Sequence, residues 1–253
     1  MAKSARSVLW ASIGMVLGTI VLIIIAHHAM VLLHEWSHAT VAYSFGLKQS
    51  PFDIIYGNWT LLDADENINY GRLLNSGQPW IASLIAASAL FMNVVLFLAS
   101  RWMLTRQWRR KHVWSVLAWY WFALFNIAEL YSYIPLRTFS KSGDVGHFVA
   151  GLGISPWVVL VIGTPLIIYA LAKLLMKDLL YVVESCLPAS GAVRVGYVII
   201  SAAVVFGFYG SAPAFYYGLD DPAAWGTYLS AVLWIGATIC LLMMYRGIAR
   251  RVP

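Results

Sequence analysis

The chain has 253 residues, of which 61% are hydrophobic and 11% are charged, whereas an ordinary soluble domain has about 45–50% apolar and about 25% charged residues. This composition excludes a soluble globular domain, and the same apolar excess excludes a disordered chain. The formal net charge is +6, but the basic residues lie in short clusters beside apolar segments, which is typical of membrane topology rather than of nucleic-acid binding. We therefore predict an integral protein of the lipid bilayer with no nucleic-acid partner.

Six apolar segments are long enough to cross a membrane. A spanning helix needs roughly 20 mostly apolar residues, because lipid offers no partner for backbone polar groups. Tryptophans mark many of the segment edges, where an amphipathic ring lies at headgroup level. The predicted fold is therefore all-α, a polytopic transmembrane helix bundle that forms a single membrane domain, 1–253. The predicted spans are 8–45, 80–98, 113–134, 156–176, 193–215 and 225–245.

The one long connection, 46–79, is polar and rich in glycine and proline. Its two short apolar pieces, 52–56 and 59–62, have strand character and flank Gly57-Asn58, a dipeptide typical of tight hairpin turns. We therefore expect a small strand-like hairpin outside the membrane.

Basic residues are distributed unevenly between the two sides of the predicted bundle. Most of the 17 Lys and Arg residues precede span one, connect spans two and three or four and five, or follow span six. The positive-inside rule then places both termini in the cytoplasm of a multi-pass protein of the cell membrane. The first apolar segment also resembles a signal peptide, but Ala26-His27-His28-Ala29 is a poor cleavage site, so we expect it to be retained.

Span one contains His34-Glu35-Trp36-Ser37-His38, an HExxH motif. Histidines four residues apart lie on the same face of a helix, so both imidazoles can bind one Zn²⁺ while the glutamate lies beside the metal. Three ionisable groups within an apolar helix are costly unless they are paired or used, which favours a functional site. A catalytic zinc also needs a third protein ligand from elsewhere in the chain.

Further polar residues occur in and after the following spans. Asn93 lies inside span two, Asn126 inside span three, and Asp144 precedes Gly146-His147 in the connection to span four. Together with HExxH, this order of motifs resembles the site-2 protease family of intramembrane zinc metalloproteases. The resemblance covers residues 34–147 and gives a metalloprotease-like core of about 8–176, while the spans at 193–245 have no resemblance that we can name.

The resemblance implies roles for individual residues. His34, His38 and Asp144 match the metal ligands of the family, and Glu35 matches its general base. Asn93 and Asn126 match asparagines that could hold the substrate backbone or the oxyanion.

The chain also departs from the family's pattern at three positions. Val145 occupies the position of a glycine and Gly143 that of a leucine, and Asn93 lacks the usual glycine and proline before it. Two of these departures flank Asp144 directly.

Four other ionisable residues have open interpretations. His27 lies on the same helical stripe as the HExxH histidines, about 10 Å away, and could line a water path, relay protons or form a structural hydrogen bond; His28 has the same alternatives. His147 could be a fourth ligand or could support the site from behind the ligands. Glu129 at membrane depth could be functional or could belong to a network with neighbouring tyrosines.

These residues lead to one main functional hypothesis and two alternatives. The main hypothesis is an intramembrane zinc endopeptidase that cleaves a membrane-embedded or membrane-tethered protein, with any regulatory partner unknown. A non-catalytic assembly or binding subunit with the same fold is one alternative. A membrane di-iron oxidase is the other, although the chain has only six histidines and such sites need about eight, as a resemblance to that class implies.

The charge pattern and the family resemblance predict opposite orientations of the site. A helix over 7–45 would be roughly 58 Å long, nearly twice the thickness of the hydrocarbon core, so it must tilt, project or break near His27-His28. With the termini inside, the site should open on the outer side, opposite the basic connection between spans two and three, whereas the family resemblance implies access from the cytoplasm.

Overall fold

The computed structural model describes residues 5–110, 112–211 and 224–249, and within these ranges it is helical without a β-strand. Six helices in the described residues are long and apolar enough to cross a membrane. The all-α prediction is therefore confirmed, and the chain is a multi-pass membrane protein. We number the helices α1 Ala5–Ser44, α2 Tyr70–Leu74, α3 Pro79–Arg110, α4 Val113–Tyr131, α5 Gly143–Leu152, α6 Pro156–Lys173, α7 Leu179–Ser185, α8 Gly191–Ala202 and α9 Ala224–Ala249.

Helix α1 is one unbroken element of 40 residues. The alternative of a break near His27-His28 is therefore not observed, because both residues have helical neighbours on each side. Helix α1 packs against α3 and α4. His34 contacts Asn93 on α3 and His38 contacts Ile85, so the two helices run antiparallel.

Helix α4 forms the centre of the bundle. Its aromatic side chains Tyr120, Trp121 and Tyr131 are among the largest fully buried groups of the described residues. The helix continues as a π-helical turn over Ser132–Leu136, which contains Pro135. Proline lacks a backbone N–H and its ring displaces the carbonyl of the preceding turn, so the helix widens at this point.

The fourth span is longer than predicted. It continues beyond residue 176, through a π-helical turn at Leu174–Asp178, to Ser185. The buried carboxylate of Asp178 accepts a hydrogen bond of 2.7 Å from Nε of Arg101 on α3. Because Arg101 pairs with the Asp178 carboxylate, the helix can continue past this charged residue within the membrane span. The fifth span begins with α8 and continues as a third π-helical segment to Tyr209. Its predicted end at residue 215 lies outside the described residues.

The prediction of a strand-like hairpin within 46–79 is wrong. This connection contains one isolated antiparallel bridge, between Ile55 and Asp65, and no strand pair at 52–56 and 59–62. Leu61 has a positive φ of 56°, so the chain turns where the second strand was expected. The side-chain amide of Asn58 instead donates to the Asp63 carboxylate and accepts a hydrogen bond from the backbone N–H of Thr60.

Candidate metal centre

The centre is built by α1 and α5. His34 and His38 lie one turn apart on α1, with their ring centroids 4.9 Å from each other. Asp144 lies in the first turn of α5. Nε2 of His34 is 3.1 Å from Oδ2 of Asp144, and Nε2 of His38 is 3.2 Å from Oδ1. All three side chains are buried.

The three residues fit a metal ion. Their ligand atoms all lie within 4.8 Å of one another, as required of atoms that share one ion at about 2.0–2.2 Å each. Oδ2 of Asp144 is buried and, although it lies 3.1 Å from Nε2 of His34, it makes no hydrogen bond of good geometry in the described structure, whereas a buried carboxylate oxygen is normally satisfied. The group of His34, His38 and Asp144 could therefore hold a metal ion.

Helix α3 orients both histidines. Nδ1–H of His38 donates a hydrogen bond of 2.7 Å to the carbonyl oxygen of Ile85, which leaves Nε2 with its lone pair toward Asp144. Nδ2 of the Asn93 amide lies 3.1 Å from Nδ1 of His34, while Oδ1 of Asn93 has no hydrogen-bond partner in the described structure, which favours the amide turned with its oxygen toward the ring. An amide with its oxygen toward the ring accepts from Nδ1–H and presents Nε2 of His34 in the same way.

Two glycines allow α5 to bring Asp144 to the histidines. Gly143 has a φ of +78° just before the aspartate, a conformation that side chains disfavour. Gly146 lies so close to the preceding loop that a Cβ atom there would be 2.6 Å from the carbonyl oxygen of Ser140. Oγ of Ser83 on α3 donates to the carbonyl of Phe148 at 2.7 Å. The start of α5 is thereby fixed against both the loop and α3.

The electrostatics of Asp144 agree with this arrangement. Burial acts to raise the pKa of its carboxyl group, but His38 and His34 outweigh burial and hold the pKa well below its usual range. A positive charge beside Asp144, carried by the histidines or by a metal ion between them, therefore favours the ionised carboxylate that a metal ligand requires.

Glu35 and Glu66 lie beside the metal ligands. Oε2 of Glu35 is buried and makes no hydrogen bond in the described structure. Glu66, from the 46–79 connection, is half-buried, and ligand atoms of Glu35, His38 and Glu66 form a second group within 4.8 Å of one another. Sequence reasoning missed Glu66, which the pattern indicated only as one of several acidic residues in an exposed connection.

One cavity reaches the centre, and a second cavity adjoins the first. The first has a volume of about 510 Å³, is lined by His34 and Glu35, and also includes His27, Glu129 and Arg137. The second, of about 360 Å³, is mostly apolar and lies between α1, α8 and the connection. His27, Leu62 and Phe208 line both, so an apolar space adjoins the polar one.

The remaining predicted residues have different positions. His27 donates from Nε2 to the carbonyl oxygen of Thr60 at 3.0 Å, and its Nδ1 lies 3.3 Å from the hydroxyl of Tyr209, so it forms structural hydrogen bonds at the edge of the polar cavity. Glu129 lines that cavity. Asn93 is fully buried behind His34, and Asn126 donates to the carbonyl oxygen of Phe122 on its own helix; neither lines the cavity.

His147 lies beside the centre without joining a ligand group of the described residues. Its ring stacks on Tyr70, with centroids 4.0 Å apart. Burial lowers the pKa of His147 in spite of the nearby Asp144 carboxylate. Tyr70, at the end of the connection, is a second residue that sequence reasoning missed, and its position depends on the path of the loop rather than on any motif.

Comparison with protein-family models, with curated proteins and with solved structures finds no match to this chain.

Proposed function

We propose that the chain is an intramembrane zinc metalloendopeptidase that cleaves a membrane-embedded or membrane-tethered protein. The observation that carries the proposal is the buried, unpartnered Oε2 of Glu35 beside three convergent ligands and a cavity of about 510 Å³. Two imidazoles and one carboxylate are a donor set that zinc prefers, and three protein ligands leave one position open.

The arrangement assigns roles to this chain's own residues. Bound zinc would lower the pKa of a water and polarise the scissile carbonyl. Glu35 accepts a proton from the attacking water and returns it to the leaving amine, which requires a base without a fixed hydrogen-bond partner. Asn93 positions His34 from behind, a role that replaces the substrate contact expected from the sequence.

The shape of the cavities limits the substrate. A helix with side chains is about 10–12 Å across, so a cavity of about 510 Å³ accepts an extended segment of a few residues rather than an intact helix. Tyr133 stacks on His34 with centroids 5.8 Å apart, and the Arg137 guanidinium lies 4.6 Å from the Tyr133 ring. These side chains form the wall along which the extended segment would lie.

The charge distribution supports a location in the cell membrane with both termini in the cytoplasm. In this orientation the metal centre and the 46–79 connection belong to the outer half of the protein. This orientation follows from the basic clusters alone.

Glu35→Gln tests the proposal. The amide keeps the size of the side chain and removes the base, so the variant should retain one zinc per chain and lose cleavage by several orders of magnitude. The protein would be reconstituted in liposomes with a pool of single-span model peptides, and the products identified by mass spectrometry. Glu184→Gln, an exposed acid on α7, is the matched control.

Unchanged cleavage by Glu35→Gln would reject Glu35 as the base. A wild type that holds zinc, cleaves no peptide and co-purifies with a stable partner would favour the non-catalytic alternative. Iron at two atoms per chain would favour the oxidase.

A further inference from the structure

Glu66 is the only acidic residue of the 46–79 connection that joins a ligand group in the described structure. With Glu35 and His38 it forms a set of two carboxylates and one imidazole within 4.8 Å. Carboxylates at this distance repel each other unless a proton or a cation lies between them. The set therefore has the composition of a second cation site, which shares only His38 with the group of His34, His38 and Asp144.

The backbone on both sides of Glu66 is fixed. Asp65 exchanges two backbone hydrogen bonds with Ile55, of 2.8 and 3.0 Å. Asn67 has a φ of +53°, and its N–H donates to Oδ1 of Asp65 at 2.6 Å. Glu66 is thus held between a bridge and a left-handed residue, in a position that directs its carboxylate toward α1.

We propose that the metal ion has two alternative positions, one held by His34, His38 and Asp144 and the other by Glu35, His38 and Glu66. This inference rests on the proposed metal centre but not on proteolysis. The two positions exclude each other because they share Nε2 of His38, which has one lone pair, while Nδ1–H is donated to the carbonyl oxygen of Ile85.

The second position defines a latent state. When Glu35 is a ligand, its carboxylate is no longer available to accept a proton from water. The connection that carries Glu66 is attached to α1 by His27, which donates to the carbonyl of Thr60 at 3.0 Å, and by His28, whose Nε2 lies 2.8 Å from the carbonyl oxygen of Trp59. Displacement of the connection, as by a substrate entering the cavity beneath it, removes Glu66 and returns the ion to the first position.

The test is a cycle of zinc affinities on the purified full chain in detergent. Zinc would be titrated against a chromogenic chelator for the wild type, Asp144→Asn, Glu66→Gln and the double variant, with the exposed Asp63→Asn as control. Each single variant should retain one zinc per chain with affinity reduced no more than about tenfold, because the other position remains. The double variant should lose at least another 100-fold, far beyond the product of the single effects.

X-ray absorption at the zinc edge gives an independent readout. Glu66→Gln should bind zinc through two imidazoles and Asp144→Asn through one. Affinity unaffected by Glu66→Gln, in the wild type and in Asp144→Asn alike, would overturn the second position and leave the first intact. Losses that simply multiply would mean one site with shared ligands, which also overturns the proposal. A wild type that binds no zinc would refute the metal centre itself.

Discussion

Gly146 should control the metal affinity of the site without contacting the metal. A Cβ atom at this position would lie 2.6 Å from the carbonyl oxygen of Ser140 and 3.1 Å from that of Lys141, both backbone atoms that cannot rotate away. To lengthen the contact between this Cβ atom and the Ser140 oxygen to an ordinary van der Waals distance, the start of α5 must move by roughly 0.8 Å. Metal sites tolerate errors in ligand distance of only about 0.2 Å. Asp144, two residues earlier, moves with the helix.

The size of the effect follows from the cost of overpacking. In the Glu66→Gln background, where only the position with Asp144 remains, restoring the metal-bound geometry after Gly146→Ala re-creates a clash worth about 1–3 kcal/mol, which corresponds to a loss of about 5- to 150-fold in zinc affinity. The assay is a chelator competition in detergent, accompanied by a thermal melt. In the same background, Gly196→Ala, in a helix where a Cβ atom meets nothing within 4 Å, should leave the affinity unchanged. Unchanged affinity after Gly146→Ala in that background would refute the claim that the close approach of this glycine positions Asp144.

Three further outcomes are expected. His38→Ala should abolish zinc binding, since this residue belongs to both ligand groups, and elemental analysis showing full occupancy would contradict the assignment. Single cysteines at Ser76 and Gln107 in a cysteine-free background should differ in intact cells: an impermeant thiol reagent labels position 76 and not 107, and the reverse pattern would invert the topology. Arg101→Met should lower the free energy of unfolding by about 3–5 kcal/mol, because it leaves the buried Asp178 carboxylate unpaired. The double variant Arg101→Met/Asp178→Leu should restore most of this stability in thermal melts. No recovery would mean that the pair does more than neutralise charge.

The predictable part of the molecule is the part governed by helix periodicity. The pairing of His34 with His38 follows from their spacing on a helix, and the spans follow from hydropathy. The approach of Asp144 came only from a resemblance, because it depends on how α5 packs against α3 through residues with no motif of their own. Glu66 reaches the site through a bridge and a left-handed asparagine, neither of which leaves a periodic signal.

Polar residues also obscured one boundary. The charged residues Lys177 and Asp178 interrupt an apolar segment, so the hydropathy pattern predicted that the fourth span ends at residue 176. The helix continues because Arg101 on another helix neutralises the charge of Asp178. A single sequence gives no sign of such a pairing between residues far apart in the chain.

The unbroken length of α1 gives the metal centre a mechanical connection to the surrounding lipid. The helix is about 60 Å long, and its first half exposes large apolar side chains such as Leu9, Leu17 and Ile25, so lipid contacts much of its surface there. A thinner bilayer tilts a long helix further, and a rigid rod transmits that tilt to its far end. The tilt would act on the contacts through which α3 orients His34 and His38, and so on the position of both rings relative to Asp144. The same chain would therefore hold its ion more or less tightly as the acyl chains around it lengthen or shorten.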